Sequence, residues 1–125
     1  FGGVTAISMV DYERINGFGN DYWGWGYEDH DLRLRTLAAG LRVEARDGRY
    51  NALRHAHNGI LPDGRLNPVG QRNHERFERE LAAGFTRWRE DGLNSLRFEH
   101  LGTTPLQLGA HTWPAVQHHR VRLQD

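Results

Sequence analysis

Asn20-Asp21-Tyr22-Trp23-Gly24-Trp25-Gly26-Tyr27-Glu28-Asp29-His30-Asp31 is the stretch on which the reading of this chain turns. Two tryptophans alternate with glycines and run straight into a cluster of acids. Glycine reaches backbone angles that other residues resist, so Gly24 and Gly26 allow a tight or flipping loop. Trp25 offers a broad flat face suited to a sugar ring. Glu28, Asp29 and Asp31 put carboxylates at the start of a helical pattern, where the helix dipole favours negative charge. An aromatic plate, a hinge and a base in one run point to a site that handles sugars.

Outward from that loop, the chain reads as a mixture of helices and strands. Phe1 to Ile7 has the small and β-branched residues of a short strand. Ser8, with Asp11 three residues on, is an N-cap for a short helix that ends before Gly17. After the loop over 19–27, a helix runs from Glu28 to about Ala39. Leu34, Leu37, Ala38 and Leu41 mark its stripe, and Gly40 its C-terminal stop. Leu41 to Ala45 alternates as a strand does, Asp47-Gly48 signals a turn, and Tyr50 to Arg54 fits a second strand. From His55 to Gln71 the sequence is polar and rich in turn signals, the composition of a functional lid. Helical spacing resumes near Asn73, with Phe77, Leu81, Phe85 and Trp88 on one stripe, and stops at Asp91-Gly92. Ser95 to Leu101 and His118 to Leu123 complete the strands.

Composition narrows the function. The 125 residues make one domain or part of one. The formal net charge is zero, which gives no electrostatic case for nucleic acid or an anionic membrane. No apolar run approaches the roughly 20 residues that span a bilayer. There is no cysteine, hence no disulfide and no thiolate chemistry. All 16 basic residues are arginine. Two readings of that bias stand: a high-GC bacterial coding preference, or a surface built on arginine ion pairs. The bacterial reading implies a cytoplasmic protein, at the inner membrane face if anywhere near a membrane, engaged in making a surface polysaccharide.

Five runs, taken in order, resemble the β-1,4-galactosyltransferase family (glycosyltransferase family 7). Phe1-Gly2-Gly3-Val4-Thr5-Ala6 is similar to the family's FGGVSA. Ile15-Asn16-Gly17-Phe18 followed by Tyr22-Trp23-Gly24-Trp25-Gly26 is similar to INGF…YWGWG. Glu28-Asp29 resembles the ED of GWGGEDDD, Arg54-His55 the later RH, and Asp91-Gly92-Leu93-Asn94-Ser95-Leu96 the run DGLNSL. The resemblance implies that residues 1–125 are the C-terminal half of a GT-A catalytic domain, an α/β fold with a mixed sheet and flanking helices. It also implies an upstream half of the same domain that holds the uridine and carries a D-x-D motif. Asp29-His30-Asp31 reads as D-x-D too, but by resemblance it lies in the acceptor segment.

Within that resemblance, Asp29 takes the position of the catalytic aspartate. Inverting glycosyl transfer needs a carboxylate beside the acceptor hydroxyl, and positioned bases of this kind contribute about 10²–10⁴-fold. The plain alternative is an ordinary acidic first turn. Glu28 is expected to shape the same pocket. His30 replaces the family's usual third acid with an imidazole, which alters how acceptor hydroxyls are held, unless it is simply a solvated helix residue. Trp25, flanked by Gly26, is the substrate-contacting tryptophan of a small mobile loop by resemblance. Trp23 is read as a packing residue.

His55 and His57 are the candidate metal ligands. Spaced as H-x-H on an extended segment, they point the same way and can reach one ion. Neutral imidazoles with a carboxylate suit Mn²⁺. Some family members carry a methionine ligand three residues before the histidine that matches His55. Here that position is Ala52, and the H-x-H pair resembles the xylose-directed galactosyltransferase branch instead.

Two functions from different classes follow. One is a metal-dependent, inverting glycosyltransferase that moves galactose or N-acetylgalactosamine from UDP to a glycan hydroxyl. The other is a half-domain that binds carbohydrate through Trp25 and the acids without catalysis. Glu28-Asp29 together with His55-x-His57 favours the enzyme for the parent protein, since a lectin needs neither a base nor metal ligands.

Overall fold

Ser8 opens the first helix as its sequence promises. Its Oγ accepts from the Asp11 backbone N–H at 3.0 Å and donates to Asp11 Oδ2 at 2.7 Å. Helix α1 spans Met9–Arg14 and ends at Ile15, with Asn16 and Gly17 both at positive φ. Asn and Gly are the residues that enter this region at least cost. The structure is a computed structural model that describes residues 4–49, 59–61, 63–65, 67–108 and 110–124.

Helix α2 spans Glu28–Ala38 and stops where Gly40 takes a φ of 72°. Its start carries no side-chain cap, because Tyr27 occupies that position with φ 73°. Glu28, Asp29 and Asp31 lie in the first turn instead, a favourable placement of negative charge. The buried face differs from the expected leucine stripe. It consists of Asp31, Leu32, Arg35 and Thr36, while Leu37 is exposed. The polar groups on this face are paired within the molecule, so they bury at acceptable cost.

Helix α3 spans Pro68–Ala82 and starts five residues before the expected Asn73. Asn67 is its N-cap, accepting from Val69 N–H at 2.9 Å, and Pro68 sits in the first turn. Proline is tolerated there because its missing N–H would lack a partner anyway. The expected stripe to Trp88 is broken. The helix ends at Ala82, Gly84 and Phe85 take positive φ, and Trp88 belongs to a separate 3-10 turn, Arg87–Arg89. Phe77 and Trp88 are buried, but Leu81 is exposed.

Two expected strands are not formed. Residues 4–8 and 41–49 have no ladder partner among the described residues. Alternating apolar residues give a strand only where a neighbour supplies the hydrogen bonds. The expected strand at Tyr50 to Arg54, and Phe1 to Gly3, lie outside the described residues.

The chain divides into two compact units, residues 1–95 and residues 96–125. In the first, the large buried apolar side chains are Ile15, Leu32, Phe77 and Trp88. Around them lies a buried polar set. Arg35, only 1% exposed, donates to Asp31, to Asp91 O at 2.6 Å, and to Gly17 O at 3.4 Å. Asn16 donates to Trp88 O at 3.0 Å and Asn94 Oδ1 at 2.8 Å, and accepts from Asn94 N–H at 2.9 Å. Gly92 lies so close that a Cβ there would sit 1.9 Å from Asn16 O. The runs around Asn16 and Asp91 are thus clamped together through backbone and amide groups.

The second unit is a hairpin. Strands β1 (Phe98–Leu108) and β2 (His111–Leu123) pair antiparallel, from Phe98 opposite Leu123 to Leu108 opposite His111. The register slips between His100 and Gly102 and again after Pro105. Proline lacks the N–H that a regular ladder position requires. Both strands exceed the lengths expected from sequence. Helices and strands make a small α/β chain, but among the described residues the sheet is this antiparallel pair and not a mixed one.

Candidate functional site

The tryptophan-glycine loop is held from both ends. At its entrance, Asn20 donates through Nδ2 to Gly92 O at 2.8 Å and Ser95 Oγ at 3.0 Å, and its backbone N–H donates to Asp91 Oδ1. At its exit, buried Asn73 on α3 spreads its two amide hydrogens over three carbonyls. These are Trp23 O at 3.1 Å, Trp25 O at 3.2 Å and Gly26 O at 3.0 Å. A loop cannot satisfy such carbonyls itself, and a buried amide from a helix does so at fixed geometry. Asn73 therefore sets the loop conformation. Sequence reading took it only as the first residue of a helix.

Gly24 and Gly26 take φ of 76° and 103°. Added bulk at Gly24 would come within 2.7 Å of Val69. The glycines thus answer a real backbone need, as expected.

Trp23 does not take the packing role expected of it. Trp23 is 64% exposed and lines an open groove, where sequence reading made it a packing residue. Trp25 is 40% exposed, and its indole lies over Gly59 and Gly70. A Cβ at Gly59 would sit 2.5 Å from Trp25 Cε2, so this glycine gives the ring its seat. Trp25 is thus seated on backbone and still partly open to solvent.

Directly after the loop come Glu28, Asp29 and His30 in the first turn of α2. Glu28 Oε2 is buried without a hydrogen-bond partner among the described residues. A buried carboxylate oxygen with no donor marks a place where a donor belongs. Asp29 is partly exposed, and its Oδ1 lies 2.9 Å from His30 Nδ1. The imidazole thus contacts one of the two carboxylate oxygens of Asp29. His30 is exposed on one side and packs near the rings of Tyr27 and Phe77. Tyr27 in turn stacks on His74 at 4.9 Å. Trp25, Gly26, Glu28, Asp29 and His30 are therefore gathered at one loop-to-helix junction.

Tyr22 stands on the other side of the loop. Burial, and then the nearby negative charge of Asp31, pushes its phenol up to about 12. Arg76 lies over its ring at 5.2 Å and binds Asp21 Oδ2 at 2.6 Å. Asp21 also takes Arg87 at 2.8 Å, and Glu80 faces both arginines. Arginine ion pairs thus organise this surface, as one reading of the lysine-free composition expected.

His55 and His57 lie outside the described residues, as do Ala52 and Arg54. Among the described residues there is no group of three or more histidines, cysteines or acids placed to hold a metal ion. Among those same residues, no helix is long and apolar enough to cross a membrane.

Comparison with known proteins bears on the same segment. A family model described as the N-terminal domain of galactosyltransferase matches residues 1–57. The chain is 35% identical over 104 residues to beta-1,4-galactosyltransferase 3 of Homo sapiens and of Mus musculus, covering 81% of this chain and 24% of each relative. It is 36% identical over 107 residues to beta-1,4-galactosyltransferase 2 of Homo sapiens, covering 81% of this chain and 25% of that relative. The chain spans about a quarter of the length of these relatives.

Proposed function

The chain belongs to the β-1,4-galactosyltransferase family, and from that membership we propose that its parent protein transfers a galactosyl group to a glycan hydroxyl. The observation that carries this reading is the loop-to-helix junction. There a seated tryptophan, an unsatisfied Glu28 oxygen and a half-held Asp29 carboxylate meet within six residues.

The chemistry follows from those groups. Trp25 presents its accessible face to a sugar ring. Glu28 Oε2 accepts from an acceptor hydroxyl and thereby gains the donor it lacks. Asp29 takes the proton of the attacking hydroxyl through the oxygen that His30 leaves open. The acceptor oxygen forms its bond to the anomeric carbon from the face opposite the nucleotide. The carbon–oxygen bond to the diphosphate breaks, and UDP leaves with the electron pair. The product is inverted at the anomeric carbon, and the proton rests on Asp29. His30, in place of a third acid, donates to Asp29 through Nδ1–H and offers Nε2 to an acceptor hydroxyl.

UDP-galactose or UDP-N-acetylgalactosamine is the proposed donor, bound by the upstream half of a GT-A domain of which this chain is the C-terminal part. That placement rests on the order of the sequence motifs. Mn²⁺ is the proposed cofactor, with His55 and His57 as two of its ligands. When bound it would offset the charge of the leaving diphosphate. Two imidazoles leave most of a six-ligand shell open, so the remaining ligands must be oxygens from elsewhere.

Asp29→Asn in the full-length parent is the direct test. Turnover should fall about 10²–10⁴-fold, equivalent to about 3–5 kcal/mol in barrier. The melting temperature should stay unchanged. Turnover above about a third of wild type would remove Asp29 from the role of base.

A further inference from the structure

A groove of about 470 Å³ opens between the tryptophan-glycine loop and α3, lined by Asp21, Trp23, Asn73, Arg72, Arg76 and Arg79. The three arginines stand at i, i+4 and i+7, so the helical repeat brings them to one face. They are not equivalent. Arg76 is engaged with Asp21 at 2.6 Å and Asp91 at 3.3 Å, and its Nε is buried without a partner. Arg72 and Arg79 are exposed, and their side chains make no hydrogen bond or ion pair with any described residue.

The neighbouring acids are already occupied. Asp21 is shared by Arg76 and Arg87, Glu80 by the same two, and Asp91 by Arg76 and Arg35. On the flank of α3, Glu75 accepts from Gln71 and Glu78 faces His74. Among the described residues neither the Arg72 nor the Arg79 guanidinium has an acid within ion-pair distance, while Glu75 and Glu78 keep their charge on the flank of α3. The chain as a whole has zero formal charge, so this is a local asymmetry and not a general basic surface. Beside the two guanidinium groups stands the exposed indole of Trp23.

We propose that this groove binds an anionic sugar, with its carboxylate or phosphate on Arg72 and Arg79 and its ring against Trp23. Guanidinium forks match both anions with paired hydrogen bonds. An indole supplies flat apolar area at little entropic cost. A neutral sugar would leave both guanidinium groups unanswered. The glycan would thus carry an acidic unit near the residue to be modified. That last step rests on the glycosyltransferase reading, whereas anion selectivity rests on the groove alone.

The test is isothermal titration of the full chain with methyl β-glucuronide, glucose 6-phosphate and methyl β-glucoside at low salt. One or both anionic probes should bind at least about tenfold tighter than the neutral glucoside, and high salt should erode the difference. A preference for the glucuronide assigns a carboxylate, and one for the sugar phosphate assigns a phosphate. The double variant Arg72→Gln/Arg79→Gln should abolish the preference with an unchanged circular dichroism spectrum. Arg72→Lys/Arg79→Lys, which keeps the charge but not the fork, should retain part of it. Equal binding of the neutral probe, absence of binding by all three, or a preference that survives the glutamine variant would each overturn the proposal. Asp29→Asn separates the two readings. Loss of transfer in Asp29→Asn with anion selectivity intact supports both, and a wild-type parent that transfers galactose without any anion selectivity removes this inference alone.

Discussion

The clamp between Asn16 and the run from Asp91 to Ser95 contrasts with the junction from Trp23 to His30. Both resemble family motifs in sequence, yet their polar groups stand differently. In the clamp, buried amides and carbonyls answer one another: Asn16 with Asn94 and Trp88, Arg35 with Asp31 and Asp91, Asn20 with Gly92 and Ser95. Of the four buried polar atoms that lack partners among the described residues, three border the junction, namely Glu28 Oε2, Tyr22 OH and Arg76 Nε, and the fourth, Trp88 Nε1, lies in the clamp. Satisfied polar groups hold a fold, and unsatisfied ones mark where a ligand or a chemical step can supply what is missing. A motif's distinctiveness therefore does not tell whether it builds the site or works in it. The density of hydrogen bonds around it says more, Trp88 Nε1 being the one open atom among the described residues of an otherwise paired clamp.

The sharpest way to break the contrast is to open the clamp. Arg35→Met keeps much of the side-chain volume but strands Asp31, which is 3% exposed, and removes the donor to three carbonyls. Burial already pushes Asp31 up from its ordinary range against the pull of Arg35, so losing the guanidinium leaves the carboxylate uncompensated. Removing one partner of a buried pair costs about 3–5 kcal/mol. Urea denaturation would measure it. A loss under about 1 kcal/mol would show that the clamp tolerates the change and that its polar network is incidental.

Asn73→Ala comes next, because Asn73 joins the fold to the site. Stranding loop carbonyls should cost about 1–3 kcal/mol. Turnover of the parent protein should fall by more than the folded fraction explains, since the loop loses its anchor. If activity per folded molecule stays at the wild-type level, the loop is positioned by something other than this amide.

Such pins explain what could and could not be read from the sequence. Ser8, Gly40 and the span of α2 were legible because caps and stop signals act within a few residues. The polar inner face of α2 was not, since Arg35 finds Asp91 O across 56 positions of chain. The polar run from His55 to Gln71 reads as loop, although its Asn67-Pro68 pair, an N-cap followed by proline, is equally a helix start. The stripe through Leu81 and Phe85 failed because Gly84 and Phe85 leave helical geometry, which spacing alone does not reveal. At the site, the expectation for Trp25, Gly26, Glu28, Asp29 and His30 comes from local composition and resemblance. Asn73 was missed because its three acceptors lie 47 to 50 residues away. The signal that could have found it was a polar residue on the inner face of a helix, adjacent to a loop whose carbonyls needed donors.

The two tryptophans sharpen the contrast within the loop itself. Trp25→Ala removes a ring seated on Gly59 and Gly70 and should cost about 1–3 kcal/mol together with most of the transfer activity. Trp23→Ala should change stability by less than about 0.5 kcal/mol, since the ring is exposed. Thermal melts of both variants, paired with kinetics, decide the matter. Equal destabilisation would mean that Trp23 is a packing residue after all.

The smallest effect is the most diagnostic of an unanswered group. Tyr22→Phe deletes a buried phenol oxygen that makes no well-formed hydrogen bond to any described residue, with Arg76 nearby, and should be near neutral at pH 7. At high pH the variant should be the more stable one. The folded phenol is held up to about 12 by burial and then by Asp31, against the ordinary value of 10.0. A raised value means that the neutral form is favoured on folding. Its contribution is complete below pH 10.0 and is lost as pH rises through about 12. Wild type should therefore lose stability across that window, with the phenolate absorbance appearing on unfolding, and Tyr22→Phe should lose less. The remaining tyrosines contribute equally to both proteins and cancel in the difference. Parallel curves for the two proteins from pH 9 to 12 would show that the ring is less enclosed than the structure places it. The contrast between satisfied clamp and unsatisfied junction would then stop at Glu28.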